Sequence, residues 1–269
     1  MSERTRANLG DGYKSYFSIA PALEPARVED VFFIRHDVYA RELGFEPVNE
    51  KERETDQYDA RSVHCLVQTA QDPARLVGCA RVVLTDAATP DAPLPFELTC
   101  RHTLDRSIID PAKLPRHKIA EVSRLAVLSE FRRRKGEQQS AAVISDNDFG
   151  SEQQPRFPFI PVSLYIGAVA LARRQGVEYL FTLTEPRLAE HFAKLGVHII
   201  PIGGPVEHRG QRVPSMLRVE GMFESLRVLI KPLWNTINEQ IDAAYGEVGQ
   251  MGQIGQMAQP GQGQPQAPA

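Results

Sequence analysis

The chain has 269 residues, of which 42% are hydrophobic and 24% are charged, a composition typical of globular proteins and inconsistent with disorder throughout. Its 31 basic and 34 acidic residues leave a formal charge of -3, so no overall positive charge favours nucleic acid or an anionic membrane as a partner. The three cysteines form no CxxC pair, and neither an apolar leader nor an 18-residue apolar run is present. These features predict a cytoplasmic protein without a membrane span.

The first predicted element is an amphipathic helix that follows a polar lead-in over 1–19. Apolar residues recur at three- and four-residue steps over 25–43 and stop at Gly44, as expected of a helix with a glycine C-terminus. A charged segment without helical periodicity comes next, and its length indicates a functional loop. Residues 64–70 and 76–85 are then predicted to form the two strands of a hairpin.

The second half alternates between helices and strands. After a proline-rich stretch that we leave unassigned, 118–128 is predicted to be a strand, because apolar and polar residues alternate before the run becomes wholly apolar. The later elements are a helix over 162–174, a strand over 179–184, a helix over 186–195, a strand over 197–202 and a final strand over 211–219. This order predicts an α/β or α+β sandwich with one mixed sheet.

The C-terminal part divides into an amphipathic helix over 221–248 and a tail over 249–269. One helical face carries an apolar stripe of Met222, Leu226, Ile230, Leu233, Ile237 and Ile241. Such a stripe is typical of core or of a dimer contact. The tail has seven Gln, five Gly, three Pro and no charge, too little apolar surface to offset its ordering entropy. We therefore expect one domain over 20–220, followed by this helix and a disordered tail.

Charged residues interrupt the apolar patterns in four segments. They are Arg35 in the first helix, Glu54, Asp56 and Asp59 in the loop, Arg81 in the second strand, and Glu121 with Arg124 in the third. Buried arginines are costly unless paired, so one interpretation is a buried network that holds the loop over the sheet as a pocket wall. The alternative is a set of separate surface charges. In a strand, Glu121 and Arg124 point apart unless a bulge intervenes.

The order of these residues resembles the signature of acyl-homoserine lactone (autoinducer) synthases over about residues 28–128. The matching positions are Arg35, Tyr39, Phe45, Glu54, Asp56, Asp59, Arg81, Glu121, Ser123 and Arg124. Tyr39 and Phe45 stand where that family prefers Phe and Trp. The second half resembles the wider GNAT-type acyltransferases, and the whole layout is most similar to acyltransferases associated with the PEP-CTERM/exosortase system and to N-acyl amino acid synthases. The resemblance implies a GNAT-like three-layer sandwich with a mostly antiparallel sheet flanked by helices.

A basic segment after the 118–128 strand resembles the phosphate-binding loop of GNAT enzymes. It comprises Arg132, Arg133, Arg134, Lys135 and Gly136, of which Arg133-x-x-Gly136 keeps the first half of the usual motif. Four positive charges beside backbone amides suit an anionic donor, and the alternative is a solvated basic turn. The interval 137–161 departs from both families.

The resemblance implies transfer of a fatty acyl group from an acyl-carrier-protein or CoA thioester to the amino group of an amino acid or similar small amine. Glu121 would be the general base, or alternatively an ion-pair partner of Arg35 or Arg81, and Arg124 a second active-site residue. Backbone amides over 125–128 would hold the oxyanion. Residues assigned to substrate binding are Arg35, Phe45, Glu54, Asp56, Asp59, Arg81 and Ser123. The helix over 162–172 and the strand over 179–183 would line an acyl tunnel or form plain core.

No metal or tightly bound cofactor is expected, because the seven histidines form no ligand cluster. The co-substrate would be acyl-ACP or acyl-CoA, and the expected partner is acyl carrier protein, bound through the basic segment. Two alternatives stay open: an autoinducer synthase that uses S-adenosylmethionine, and a catalytically degenerate regulator that binds acyl carrier protein. Acyl length, acceptor identity and oligomeric state are not determined by the sequence.

Overall fold

A computed structural model describes residues 8–132 and 158–257, and within them an eight-stranded sheet forms the middle layer. The strands are β1 (Phe17–Pro21), β2 (Ser62–Thr69), β3 (Leu76–Leu84), β4 (Ile119–Val127), β5 (Tyr179–Thr184), β6 (Ile200–Pro201), β7 (Val206–Glu207) and β8 (Gln211–Arg218). Their order is β1-β2-β3-β4-β5-β8-β6, and β7 pairs with β8. Only β4 and β5 run parallel among these pairs, so the predicted mixed, mostly antiparallel sheet is confirmed.

Helices cover both faces of the sheet. They are α1 (Leu9–Lys14), α2 (Pro25–His36), α3 (Pro95–Thr99), α4 (Phe159–Arg174), α5 (Pro186–Lys194), α6 (Met222–Ser225) and α7 (Lys231–Met257). On one face, Val31 and Ile34 of α2, together with Val38 just after it, pack against Leu66 and Cys79 of the sheet. On the other face, α4 and α7 share the largest apolar core with the sheet. The three-layer sandwich that the resemblance implied is therefore present.

The strongest sequence patterns correspond to the observed elements. The predicted helix over 25–43 is α2 followed by a π-helical turn, Asp37–Glu42, and the chain leaves it at Gly44 with a φ of 64°. The hairpin strands, the 118–128 strand and the helices at 162 and 186 all form. The strand predicted over 197–202 shrinks to Ile200–Pro201, because it pairs only with β8 and its proline cannot donate to a ladder.

The prediction of a polar lead-in over 1–19 is wrong from residue 9 onward. α1 and β1 belong to the fold, and β1 adds an edge strand that pairs antiparallel with β2. Tyr13 and Ile19 are buried, but two buried residues six positions apart make no periodic pattern. Gly10 allows α1 to approach α7 closely, since a Cβ there would lie 2.5 Å from Oγ1 of Thr236.

The C-terminal stripe over 222–241 is core within this chain. All six of its apolar residues are at most 4% exposed and pack in the largest cluster. The predicted helix over 221–248 is two helices, α6 and α7. α7 continues for nine residues into the tail predicted to be disordered, because extending a formed helix costs less free energy than starting one. None of the described helices is long and apolar enough to cross a membrane.

Candidate active site

The candidate site lies where β4 and β5 separate. These strands pair in parallel only over four residues, from Ile119 to Val122 of β4. Beyond Val122, β4 continues to Val127 with β3 as its only ladder partner among the described strands. Backbone groups on that side of β4 are therefore left for another partner, and a cavity of about 320 Å³ opens there.

A β-bulge in β4 directs Arg124 to the face of the sheet that carries Glu121. The register between β3 and β4 shifts between Cys79 and Arg81, and Arg124 has a φ of 52°, a conformation uncommon for residues other than glycine. The Arg124 side chain reaches Glu54 on the α2 side of the sheet. In a regular strand, Glu121 and Arg124 would point to opposite faces of the sheet. The bulge brings both side chains to one face, so that they share one site.

Arg35 anchors a buried network beneath the cavity. Its side chain is fully buried, and its Nε donates to Oε2 of Glu54 at 2.5 Å. Its two terminal nitrogens donate to the two carboxylate oxygens of Asp59 at 2.6 and 3.1 Å. This two-pronged contact ties the loop after α2 to the helix itself.

Arg81 and Arg124 extend the network to the cavity wall. Arg81 Nη1 donates to Asp56 at 2.7 Å and to Asp59 at 2.8 Å, and its Nε donates to the Ser123 hydroxyl at 3.1 Å. Arg124 Nη2 donates to Glu54 at 3.0 Å and to Asp56 at 3.1 Å. The three arginines and the three carboxylates therefore balance in charge. This arrangement is the predicted buried network and not a set of separate surface charges.

The network keeps its carboxylates ionised. Burial alone would raise the pKa of Glu54, but the charges and hydrogen bonds of Arg35 and Arg124 hold it below its ordinary value. Against the same effect of burial, Arg35 lowers the pKa of Asp59 to about 2. His64 lies beside these groups, and burial together with the charge of Arg35 lowers its pKa to about 4, so it is neutral at pH 7.

Glu121 has a different environment on the same sheet. It is 4% exposed and lines the cavity, and its Oε2 accepts the backbone N–H of Phe96 at 2.7 Å. In the part of the chain that the structure describes, no cation lies at ion-pair distance, so the predicted alternative of a pair with Arg35 or Arg81 is wrong. Burial raises the pKa of Glu121 to about 7, against the Phe96 hydrogen bond and the charges of Arg81 and Arg124.

The unassigned proline-rich stretch supplies the only hydrogen bond to the Glu121 carboxylate among the described residues. It contains α3, in which the Glu97 side chain accepts the Leu94 N–H at 2.8 Å and is itself held by Arg116. The Phe96 ring stacks on Phe181 at 4.6 Å. A backbone donor has no sequence signature, so sequence analysis could not have found this contact.

A second group of basic side chains, also missed from the sequence, lines the cavity from the β7–β8 hairpin. His208, Arg209 and Arg212 form this hairpin cluster. Arg209 pairs with Glu46, and Arg212 pairs with Glu185. The cluster begins 84 positions after Arg124, the last residue of the signature, and three basic residues near a turn do not by themselves predict a site.

Tyr39 links the hairpin cluster to the network. The guanidinium groups of Arg124 and Arg209 each lie 5.7 Å from the centre of the Tyr39 ring, within cation–π distance. The Tyr39 hydroxyl donates to the backbone carbonyl of Leu125 at 3.0 Å. The aromatic residue of the signature is thus packed between two arginines at the bulge.

The predicted site residues divide into two layers. Those that line the cavity are Phe45, Asp56, Arg81, Glu121, Ser123 and Arg124. Arg35, Glu54 and Asp59 lie behind them in the network. The structure brings this set together although its members span positions 35 to 124.

The donor side is described only in part. Arg132 pairs with Glu42 beside the π-helical turn. The other residues of the predicted phosphate loop, 133–136, and the interval 137–157 lie outside the described residues. Of the backbone amides predicted to hold an oxyanion, that of Leu128 donates to the carbonyl of Val77 at 3.0 Å and is therefore committed to the sheet.

Most of the predicted acyl tunnel is plain core. In α4 and β5, residues such as Leu164, Val169 and Leu180 are fully buried in the core. Tyr165 and Thr184 line the cavity, and each has a buried hydroxyl without a hydrogen-bond partner in the described chain. Within this part of the chain, no group of His, Cys, Asp and Glu side chains is arranged to hold a metal ion.

Comparisons with known proteins agree with this fold. Residues 34–141 match the acetyltransferase (GNAT) domain family. Two solved structures align over 81% of this chain with a TM-score of 0.53. They are TofI in a ternary complex with an inhibitor and MTA (20% identical, 95% of that chain) and the CoA-dependent acyl-homoserine lactone synthase BjaI with SAM and isopentyl-CoA (18% identical, 89% of that chain).

A third solved structure is the N-acyl amino acid synthase FeeM from uncultured soil microbes. It aligns over 78% of this chain and 95% of its own with 13% identity and a TM-score of 0.49. No curated protein matches the sequence. The chain therefore has a GNAT-like fold, within which residues 34–141 match the GNAT acetyltransferase domain.

Proposed function

We propose that this protein is an N-acyltransferase that moves a fatty acyl group from an acyl-carrier-protein or CoA thioester to the amino group of an amino acid or similar small amine. The single observation that carries the proposal is Glu121, a buried carboxylate without an ion-pair partner among the described residues, at the wall of a cavity between two separating strands. A carboxylate with a pKa of about 7 is suited to accept a proton near neutral pH.

The reaction needs a neutral amine, and Glu121 would supply it. The carboxylate accepts a proton from the incoming ammonium, directly or through a water molecule. The amine nitrogen then attacks the thioester carbonyl carbon and forms the carbon–nitrogen bond. The tetrahedral oxyanion collapses, the carbon–sulfur bond breaks, and the leaving thiolate takes up the proton that the nitrogen loses as it becomes an amide. Beyond Val122, β4 has no ladder partner on the side that faces β5, which supports binding of the thioester beside this carboxylate.

The network would serve the acceptor side indirectly. Arg35 and Arg81 hold Asp56 and Asp59 in place, so the loop forms a rigid wall rather than a mobile segment. Asp56 lines the cavity and stays ionised, which suits an ammonium-bearing acceptor. Arg124 joins this wall to the bulge and would orient Asp56 and Glu54.

The test is product formation by the full-length protein. Long-chain acyl-ACP and acyl-CoA are each incubated with pooled L-amino acids, and N-acyl products are detected by mass spectrometry. Glu121→Gln should lower kcat by about 10²- to 10⁴-fold. Glu178→Gln is the matched control, because Glu178 is exposed and pairs with Lys118 away from the cavity. Absence of product with both donors, or full activity of Glu121→Gln, would overturn the proposal.

Autoinducer synthesis from S-adenosylmethionine is the second candidate, and the order of the charged signature favours it. BjaI, which shares the fold, is a CoA-dependent acyl-homoserine lactone synthase. Activation of a lactone reporter by extracts would separate this function from amino acid acylation. A catalytically degenerate regulator would instead bind labelled acyl carrier protein tightly and release no thiol.

Acyl carrier protein as the partner, cytoplasmic location and association with the PEP-CTERM/exosortase system stay predictions. The identity of neighbouring genes tests the last of these: an exosortase gene would support it, and a quorum-sensing regulator would favour the lactone branch. Parallel assays with acyl-ACP and acyl-CoA test the first.

A further inference from the structure

We propose that the hairpin cluster of His208, Arg209 and Arg212 binds a carboxylate of the acceptor, so that the substrate class is an amine carrying a carboxylate, such as an amino acid. This inference rests on the proposed function, and it assigns the anion-binding role to a hairpin outside the charged signature. All three side chains line the same cavity as Glu121.

Several guanidinium N–H groups of the hairpin cluster have no hydrogen-bond partner among the described residues. Only Nη2 of Arg209 has a partner, Glu46, so its Nε and Nη1 have no hydrogen-bond partner among the described residues. Arg212 contacts Glu185 through Nη1 and the Arg209 carbonyl through Nη2, which leaves its Nε. The described part of the chain provides no hydrogen bond to the His208 ring.

Of the network arginines, Arg35 and Arg81 are already held by partners within the network. Arg35 is fully buried and does not line the cavity, and all three of its guanidinium nitrogens donate to Glu54 or Asp59. Arg81 is committed to two aspartates and to a serine hydroxyl. A carboxylate that approached these arginines would have to displace ionised side chains already held at hydrogen-bonding distance.

The pKa values of the network arginine Arg124 and of the hairpin arginines shift in opposite directions. Nearby carboxylates raise the pKa of Arg124 despite its burial. Burial lowers the pKa of the Arg209 and Arg212 guanidinium groups, and the charge of Arg35 lowers that of Arg209 further. Each of these arginines has one carboxylate partner, and an added anion in the cavity would further favour their charged forms.

The backbone of the hairpin turn supports a role beyond connecting two strands. Arg209 and Gly210 have φ values of 54° and 93°, the left-handed pair that hairpin turns usually fill with Asn or Gly. An arginine at such a position is conformationally costly, and costs of this kind concentrate at functional sites. Here the turn places the arginine over Tyr39, within the wall of the cavity.

The experiment varies the protein and the acceptor together. L-leucine and L-phenylalanine are compared with leucinamide and phenylalaninamide, which lack the negative charge, with acyl-ACP and acyl-CoA as donors. Arg209→Met and Arg212→Met should each raise KM for the amino acids by about 10- to 100-fold and change KM for the amides by less than about threefold. Arg209→Lys should restore part of the preference because it retains a cation.

The control variant is Arg218→Met, since Arg218 lies on the same strand but stacks on Tyr179 outside the cavity. It should leave the preference for amino acids over amides unchanged. Thermal unfolding of each variant separates loss of binding from loss of fold, and Arg209→Lys tests the charge even if Arg209→Met is unstable.

The two proposals fail in distinguishable ways. If no amine is acylated by the wild-type protein, the proposed function fails. If amino acids and amides are acylated with equal KM, or if both arginine variants retain the wild-type preference, the hairpin cluster is a structural clamp and this inference is overturned. If the arginine variants lost activity with acyl-CoA but not with acyl-ACP, the cluster would lie on the donor side, and this result would also overturn the inference.

Discussion

Two buried glutamates on the same side of the sheet show how partner geometry decides protonation. Glu54 is 7% exposed and Glu121 is 4% exposed, so burial is nearly equal. Glu54 contacts the guanidinium groups of Arg35 and Arg124, and its pKa is lowered. Glu121 accepts one neutral backbone N–H, and its pKa is raised to about 7.

Burial by itself therefore does not identify a general base. A carboxylate with two arginine partners is locked in its charged form and serves as structure. A carboxylate with equal burial but a single neutral donor can exchange a proton near pH 7. The region around Glu54 therefore holds the wall, and the region around Glu121 is the place for proton transfer.

The largest effect is expected when the network loses its anchor. Arg35→Met should lower the free energy of unfolding by about 3 to 5 kcal/mol, because Glu54 and Asp59 would remain buried without their partner. Urea unfolding measures this change. Arg41→Met is the control: Arg41 is exposed and pairs with Asp37, so its loss should cost less than about 1 kcal/mol. Equal effects of the two variants would remove the distinction between a buried network and surface charges.

The next effect is a stability difference that depends on pH. The raised pKa of Glu121 means that stability falls as pH rises from the ordinary glutamate value to about 7, because the unfolded chain releases its proton first. Glu121→Gln should therefore be more stable than wild type by about 3 kcal/mol at pH 8 and nearly equal to it below pH 5.

The matched variant in this comparison is Glu54→Gln. The lowered pKa of Glu54 contributes stability above its unfolded value, and that stability is lost as pH falls through the lowered pKa. Glu54→Gln should thus destabilise the protein at pH 8, opposite in sign to Glu121→Gln. Thermal unfolding at pH 5 and pH 8 measures both, and the same sign for both variants would contradict our assignment of the two glutamates.

Catalysis should show a similar pH window. With Glu121 as the base, kcat/KM should fall by about tenfold for each pH unit below 7, since the protonated carboxyl cannot accept the ammonium proton. Initial rates with two acceptors of different basicity provide the measurement. If the acidic limb of the kcat/KM profile moves with the pKa of the acceptor, the limb reports ionisation of the amine. A limb at the same pH for both acceptors supports Glu121 as the base.

The smallest effect concerns the contact between Tyr39 and the bulge. Tyr39→Phe removes the hydrogen bond to the Leu125 carbonyl but keeps the ring between Arg124 and Arg209. We expect a loss of about 1 kcal/mol in the free energy of unfolding, measured by urea unfolding. Tyr39→Leu should cost more, because it also removes the cation–π contacts.

The main elements of the fold could be predicted because their patterns are local. The three- and four-residue apolar spacing of α2, the β2–β3 hairpin and the alternation of β4 each depend on residues close together in the chain. The charged signature was visible for the same reason: arginines inside apolar runs stand out without knowledge of their partners. The lead-in was misjudged because α1 and β1 bury few residues and depend on α7 and β2.

The sequence by itself determined which residues interrupt the core, among them Arg35, Arg81, Glu121 and Arg124. Only the tertiary structure decided which of them are paired. The Glu121 carboxylate accepts a backbone N–H from α3 and has no arginine at ion-pair distance in the described part of the chain, whereas Arg124 reaches the network because β4 bulges. The hairpin cluster joins the site from more than 80 residues away. Protonation depends on distances of a few ångströms between groups remote in sequence, and those distances are set by packing rather than by local pattern.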